Sequence, residues 1–265
     1  MTTSNQQINP LLSKIKLPGR IFQLPSAGYF YNNGELDASV VNGEIHVQPL
    51  SAFAEINLKN PDLLFSGKAI ESVFKECIPD IKKPLELFGR DVDAIMAFLR
   101  VVTYGSAYEV EATHTCPDAK SHTYSADVDS IVSNMRPLDP TTIADKYQVI
   151  LENEQQVNLE PIRFKHVIAL LQASDKNKKL NMQAFQTGLI LNLLNVIKDI
   201  DGVTDRGNIE EWLRLVPSTV IGKISEAIED SNDWGPVFET EVICKDCGNS
   251  YIIELPINPV AFFSG

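Results

Sequence analysis

The stretch Val237-Phe238-Glu239-Thr240-Glu241-Val242-Ile243-Cys244-Lys245-Asp246-Cys247-Gly248-Asn249-Ser250-Tyr251-Ile252-Ile253-Glu254-Leu255 decides how the rest of the chain is read. Alternating β-prone residues run into Cys244-x-x-Cys247-Gly248 and leave it again as Tyr251-Ile252-Ile253. This is a hairpin whose tip carries two thiols. Two thiolates on a tight turn converge on one metal ion, and the glycine after the second relieves the backbone. A redox CxxC sits at a helix N-terminus, whereas here strands flank the pair. Zinc takes four ligands, so this knuckle needs a second half elsewhere.

The second half is expected at Cys116, where Tyr108-Glu109-Val110-Glu111-Ala112-Thr113 alternates as a strand into His114-Thr115-Cys116-Pro117. A return strand follows over His122-Thr123-Tyr124-Ser125-Ala126. Ala119 stands where a second knuckle cysteine would be expected. His122 is the preferred fourth ligand, giving a Cys3His set of Cys116, His122, Cys244 and Cys247. His114 is the competitor, set back by its position on the incoming strand. Four protein ligands leave no open coordination position, so the expected Zn2+ is structural, one per chain, and its binding energy acts as folding energy. Sulfur and nitrogen ligands without a redox context favour zinc over iron.

The remaining histidines and cysteine carry less. Cys77 falls on the apolar face of a helix and reads as a small buried hydrophobe. His46 and His166 have no partner at a recognisable spacing. Among sequence motifs there is no Gly-rich phosphate loop, no GxSxG elbow and no HExxH. The chain therefore reads as a scaffold rather than an enzyme, with an enzyme of unrecognised site as the alternative.

The 265 residues suffice for one large domain or two small ones, and 44% hydrophobic with 22% charged residues is ordinary globular composition. A net charge of −12 opposes a nucleic-acid surface, which needs clustered Lys and Arg. The longest apolar region, 185–197, is broken by Gln186, Asn192 and Asn195, so no membrane span is expected. The opening residues show no signal-peptide pattern, and the thiols are read as reduced in a cytoplasm.

The expected fold class is α+β: a helix-rich body, a small N-terminal β-unit, and a zinc-ribbon-like pair of hairpins split by a helical insertion. Residues 1–23 read as a flexible arm, and 24–105 as the β-unit plus helices. Residues 106–127 and 236–256 are the split hairpins, 128–235 a mainly helical insertion, and 257–265 a tail. Asn33-Gly34 and Asn42-Gly43 supply tight turns in the β-unit. Asn60-Pro61-Asp62 starts a helix, Gly67 breaks or caps one, and 90–104 is a helix closed by Gly105. Within the insertion, β-prone segments are expected at 147–152 and 157–164, and helices at 166–173, 181–200, 209–215 and 218–228. Phe262-Phe263 looks exposed and, with the arm, suited to docking on neighbours.

Leu24-Pro25-Ser26-x-Gly28-x-Phe30-Tyr31, then Val47-x-Pro49-Leu50, Glu55 and Asn60-Pro61-Asp62-Leu63-Leu64-x-x-Gly67, resembles the baseplate hub family of T4-like bacteriophages. So does Asp91 followed by Phe98-Leu99-Arg100-x-x-x-Tyr104-Gly105 and the Cys-Pro knuckle. The single cysteine in that first knuckle departs from a two-Cys pattern. The resemblance implies a contractile-tail virion protein at or near the central baseplate hub, made in the bacterial host cytoplasm. It also implies other baseplate or hub proteins as partners, with the tail tube or tape measure protein as further neighbours. It supplies no catalytic residues. A zinc-containing assembly factor absent from the mature virion fits the same residues.

Overall fold

A computed structural model describes residues 18–117, 120–176, 182–257 and 262–263, with side chains described outside 173–187. The fold is α+β, with short antiparallel sheets set among helices. Strand β1 (Arg20–Gln23) pairs with β2 (Glu44–Val47), Phe22 opposite Ile45. β1 therefore occupies the end of the stretch expected to be an arm, because Phe22 buries its ring and stacks on Phe98 at 4.4 Å. Residues 1–17 lie outside the described residues.

Helices α1 (Ala52–Leu58), α2 (Pro61–Phe65), α3 (Lys68–Cys77) and α4 (Gly89–Tyr104) follow. Asn60 caps α2 through its side-chain oxygen, with Pro61 in the first turn. α1 is unmarked in the expectations, being short and having only Ala54 and Leu58 buried. α4 is the axis of the body, its residues from Ala94 to Arg100 all buried. Strands β3 (Ala107–Thr113) and β4 (Ser121–Asp127) form one hairpin, and α5 (Val128–Ser133) turns back onto α4.

The insertion carries its own sheet, β5 (Gln148–Ile150), β6 (Gln156–Leu159) and β7 (Ile197–Ile200), in the order β5-β6-β7. Around it lie α6 (Ile143–Lys146), α7 (Phe164–Lys176), α8 (Met182–Val196), α9 (Arg206–Leu215) and α10 (Ser218–Ser231). The helix expected over 181–200 thus stops at Val196. The next four residues become strand because they pair with β6, a tertiary contact overriding local periodicity. β8 (Glu239–Ile243) and β9 (Ser250–Glu254) form the last hairpin.

Described apolar residues gather in two clusters. One joins the N-terminal strands, α1, α3, α4, α5 and both late hairpins; the other fills the insertion around Leu193, Ile197 and Trp234. A buried ion pair ties them: Arg163 donates to Glu35 at 3.1 Å and to the Glu86 carbonyl at 2.9 Å, its guanidinium 5.0 Å from the Phe88 ring centre. Burial works to raise the Glu35 carboxyl, yet hydrogen bonds from Asn32 and Arg163 outweigh it and hold the group below its usual value.

The motif residues serve this packing. Asp91 is fully buried and accepts from the Ser26 N–H at 3.1 Å and the Tyr31 hydroxyl at 2.7 Å. Tyr31 in turn accepts from the Phe88 N–H. Gly43 faces this loop with φ +71°, and a Cβ there would meet Ala27 at 2.9 Å, so no other residue fits. At the far end of α4, Arg100 donates to the Phe262 carbonyl at 2.6 Å and the Ala107 carbonyl at 3.2 Å. Tyr104 donates to the Phe263 carbonyl at 3.0 Å. Phe262 and Phe263 are consequently buried, correcting the expectation of an exposed aromatic tail. Residues 258–261, 264 and 265 of the expected tail lie outside the described residues.

Burial pushes the Asp91 carboxyl up to about 6. The native state therefore holds a proton that the unfolded chain, near 4, has already released, so Asp91's stabilising contribution is present at low pH and fades as pH rises through 6. In equilibrium denaturation Asp91→Ala is expected to cost roughly 2–4 kcal/mol near pH 4, because it orphans two buried donors. Between pH 4 and pH 7 that cost is expected to shrink by up to about 3 kcal/mol.

Candidate metal centre

Each hairpin buries one face by alternation. Tyr108, Tyr124 and Ala126 point inward from β3 and β4, and Ile253 from β9. The last rungs are Thr113 opposite Ser121 and Ile243 opposite Ser250, leaving 114–120 and 244–249 as tips. In the second tip Gly248 takes φ +76°, and its N–H donates to the Cys244 carbonyl while the Cys244 N–H donates to Asn249. This closes the knuckle so that both thiols leave the same side.

The tips meet. The ligand atoms of His114, Cys116, Cys244 and Cys247 all lie within 4.8 Å of one another. Cys116 Sγ is 3.8 Å from Cys244 Sγ, and Cys247 Sγ is 3.4 Å from His114 Nδ1. All cysteines are free thiols. With Zn–S near 2.3 Å and Zn–N near 2.0–2.1 Å, a tetrahedron has S···S edges of about 3.8 Å and S···N edges of about 3.6 Å. The donor set and both contacts therefore fit a tetrahedral zinc.

The electrostatics point the same way. Cys244 is held below the usual thiol range, first by the Cys247 backbone N–H and then by that of Asp246. Cys116 is raised to about 11, first by desolvation and then by hydrogen bonds to Cys247 and Cys244. Crowded thiols thus resist joint ionisation, and a divalent cation among them is what would relieve it.

Of the four expected ligands, Cys116, Cys244 and Cys247 come together, but His122 does not join them. β3 ends at Thr113, so His114 begins the tip instead of lying on the strand, and its ring swings over Tyr251 with centroids 4.5 Å apart. His122 sits one step inside β4 opposite Ala112, with Nε2 2.9 Å from Asp246 Oδ2. Asp246 also accepts from the Lys120 N–H at 3.0 Å, and these contacts lower its carboxyl. Lys245 Nζ reaches the Thr123 carbonyl at 2.8 Å. The two residues between the knuckle cysteines thus latch the hairpins together, a role the CxxC pattern left blank. Tyr251 was also unmarked. Its hydroxyl is buried without a hydrogen-bond partner among the described residues, and its place on β9 made it look like one more alternating core residue. Ala119 lies outside the described residues.

Cys77 is buried on α3, and desolvation raises its thiol to about 12. His46 is exposed near Asp80, and His166 is lowered chiefly by burial. Neither joins a cluster of ligands among the described residues. No described helix is long and apolar enough to cross a membrane.

A family model described as T4 bacteriophage base plate protein matches residues 52–264. No curated protein and no solved structure matches.

His122→Ala is expected to loosen the latch while leaving any bound metal in place, whereas His114→Ala weakens the metal at least tenfold. Competition with a chromophoric chelator measures both; equal loss in the two variants would reject the distinction.

Proposed function

The chain belongs to the T4 bacteriophage base plate protein family, and from that premise we propose a structural subunit of a contractile tail baseplate, at or near the central hub, stapled by a structural zinc. The observation that carries this reading is the extent of the family match, which takes in both hairpin tips and all four residues of the cluster. His114, Cys116, Cys244 and Cys247 would hold the zinc, with His114 in the place first assigned to His122. Zinc supplies a compact, redox-inert cross-link between tips, and four protein ligands leave no position for a substrate.

The protein's own residues prepare that cross-link. β3 and β4 carry His114 and Cys116 to one side, and β8 and β9 present Cys244 and Cys247 to the other. The His122–Asp246 and Lys245–Thr123 bonds set the separation. The role is read as architectural, with other baseplate or hub proteins as neighbours and the tail tube or tape measure protein within reach of a hub position. An assembly factor that leaves the finished particle is the alternative reading.

Elemental analysis of purified protein is expected to give one zinc per chain, lost on Cys244→Ser. Mass spectrometry of purified virions is expected to find the chain among tail proteins. Absence from virions, with abundance in infected cells, would transfer the reading to an assembly factor; a metal-free wild type would reject the zinc staple.

A further inference from the structure

Hairpin β8–β9 lays Val242, Tyr251 and Ile253 on the core and turns its other face outward. The Leu255 N–H donates to the Phe238 carbonyl and the Cys244 N–H to that of Asn249. Between those bonds, Glu239–Glu254, Glu241–Ile252 and Ile243–Ser250 are non-hydrogen-bonded rungs, where opposed side chains stand closest. All six side chains share the outer face, and all are exposed. Ile243 is 67% and Ile252 65% exposed, and Val237 continues the alternation just before β8. Glu239 stands directly opposite Glu254, and like charges so placed repel.

Nothing described neutralises this face. Glu239, Glu241 and Glu254 have no ion-pair partner among the described residues. Strands β3, β4, β8 and β9 hold no Lys or Arg at all. Val237, Glu239, Glu241 and Ile252 form one wall of a groove of about 660 Å³, with Asp127 and Ile131 opposite at the start of α5. No described Lys or Arg lines it. A lone cation does not fit, because the carboxylates are spread along the face. Among the described residues, ligands converge on a point only at the hairpin tips. A nucleic acid or anionic lipid is repelled by the same charges, and a second copy, at net charge −12, brings more acid. Cations interleaved with aliphatic side chains answer both features of the face.

We propose that the outer face of β8–β9, with this groove, binds a basic, aliphatic segment of a different protein. The segment's cations pair with Glu239, Glu241 and Glu254, and its aliphatic side chains cover Val237, Ile243 and Ile252. The Glu239–Glu254 rung costs stability in the free chain and is neutralised in the complex, so the repulsion becomes part of the recognition. The inference does not rest on the baseplate reading.

Fluorescence anisotropy of the full chain tests this with a labelled nine-residue peptide alternating lysine and valine. Lysine–serine and glutamate–valine peptides of the same length serve as comparisons. The lysine–valine peptide is expected to bind at least tenfold more tightly than either. Glu239→Gln/Glu241→Gln is expected to weaken it at least tenfold, and Ile252→Ser to bring it toward the lysine–serine level. The same charge change at exposed positions of α10, Glu226→Gln/Glu229→Gln, leaves binding unchanged. Glu239→Gln alone is expected to raise the melting temperature by about 1–3 °C, since it removes the like-charge rung. No binding of the lysine–valine peptide, equal binding of the lysine–serine peptide, or equal loss in the α10 variant would overturn the proposal. So would an unchanged melting temperature in Glu239→Gln. A wild-type dimer in light scattering that Ile252→Ser dissolves would overturn it too, by assigning the face to a second copy.

Discussion

Two hairpins that share no backbone hydrogen bond among the described residues must nevertheless be held tip to tip, and the body of the protein is arranged around that constraint. β3–β4 and β8–β9 are separate sheets, and a lone two-stranded hairpin is marginal in water. Cys116 and Cys244 are 128 residues apart, so local chain geometry does nothing to join them. Their inner faces rest on the cluster built around α4, and their tips meet through the side chains of Lys245 and Asp246. The thiol and imidazole group, the His122–Asp246 bond and the Lys245 contacts therefore do what a shared ladder does in a larger sheet.

The same logic explains the motif on α4. Asp91 at one end holds the Ser26–Tyr31 turn, while Arg100 and Tyr104 at the other hold the carbonyls of Phe262 and Phe263. Arg100 has carbonyls and three aromatic rings around it where a carboxylate might have been expected. A charged group this deeply buried is tolerated when fixed partners meet it, and Arg100 places both terminal nitrogens on carbonyls, while its Nε is buried without a partner among the described residues. Asp91, Arg100 and Tyr104 of this family resemblance thus act as clasps on chain segments.

Much of this was legible beforehand, for identifiable reasons. Alternation revealed the late hairpins, Asn-Gly the early turns, and Gly105 the end of α4, because each is a local rule. Cys244 and Cys247 were legible because a knuckle has a fixed spacing, and Cys116 because it stands with Pro117 at the tip of an alternating hairpin. The fourth was not: choosing His114 over His122 depends on the register of β3 against β4, which ends at Thr113 opposite Ser121 and keeps His122 inside the ladder. The burial of Phe262 and Phe263 was equally hidden, since the group that claims Phe262 lies 162 residues upstream. β7 continued an apolar helical pattern and became strand only through β6.

The insertion between the hairpins has its own apolar cluster and its own sheet, and it is clasped to the rest at Arg163 and Glu35. The entropy of closing a chain loop grows only logarithmically, about 0.6 kcal/mol for each doubling of length. The frame is thus nearly indifferent to how long that intervening segment is, provided its ends return to the same two tips. Size and surface can vary there over evolutionary time while the clasped frame stays the same.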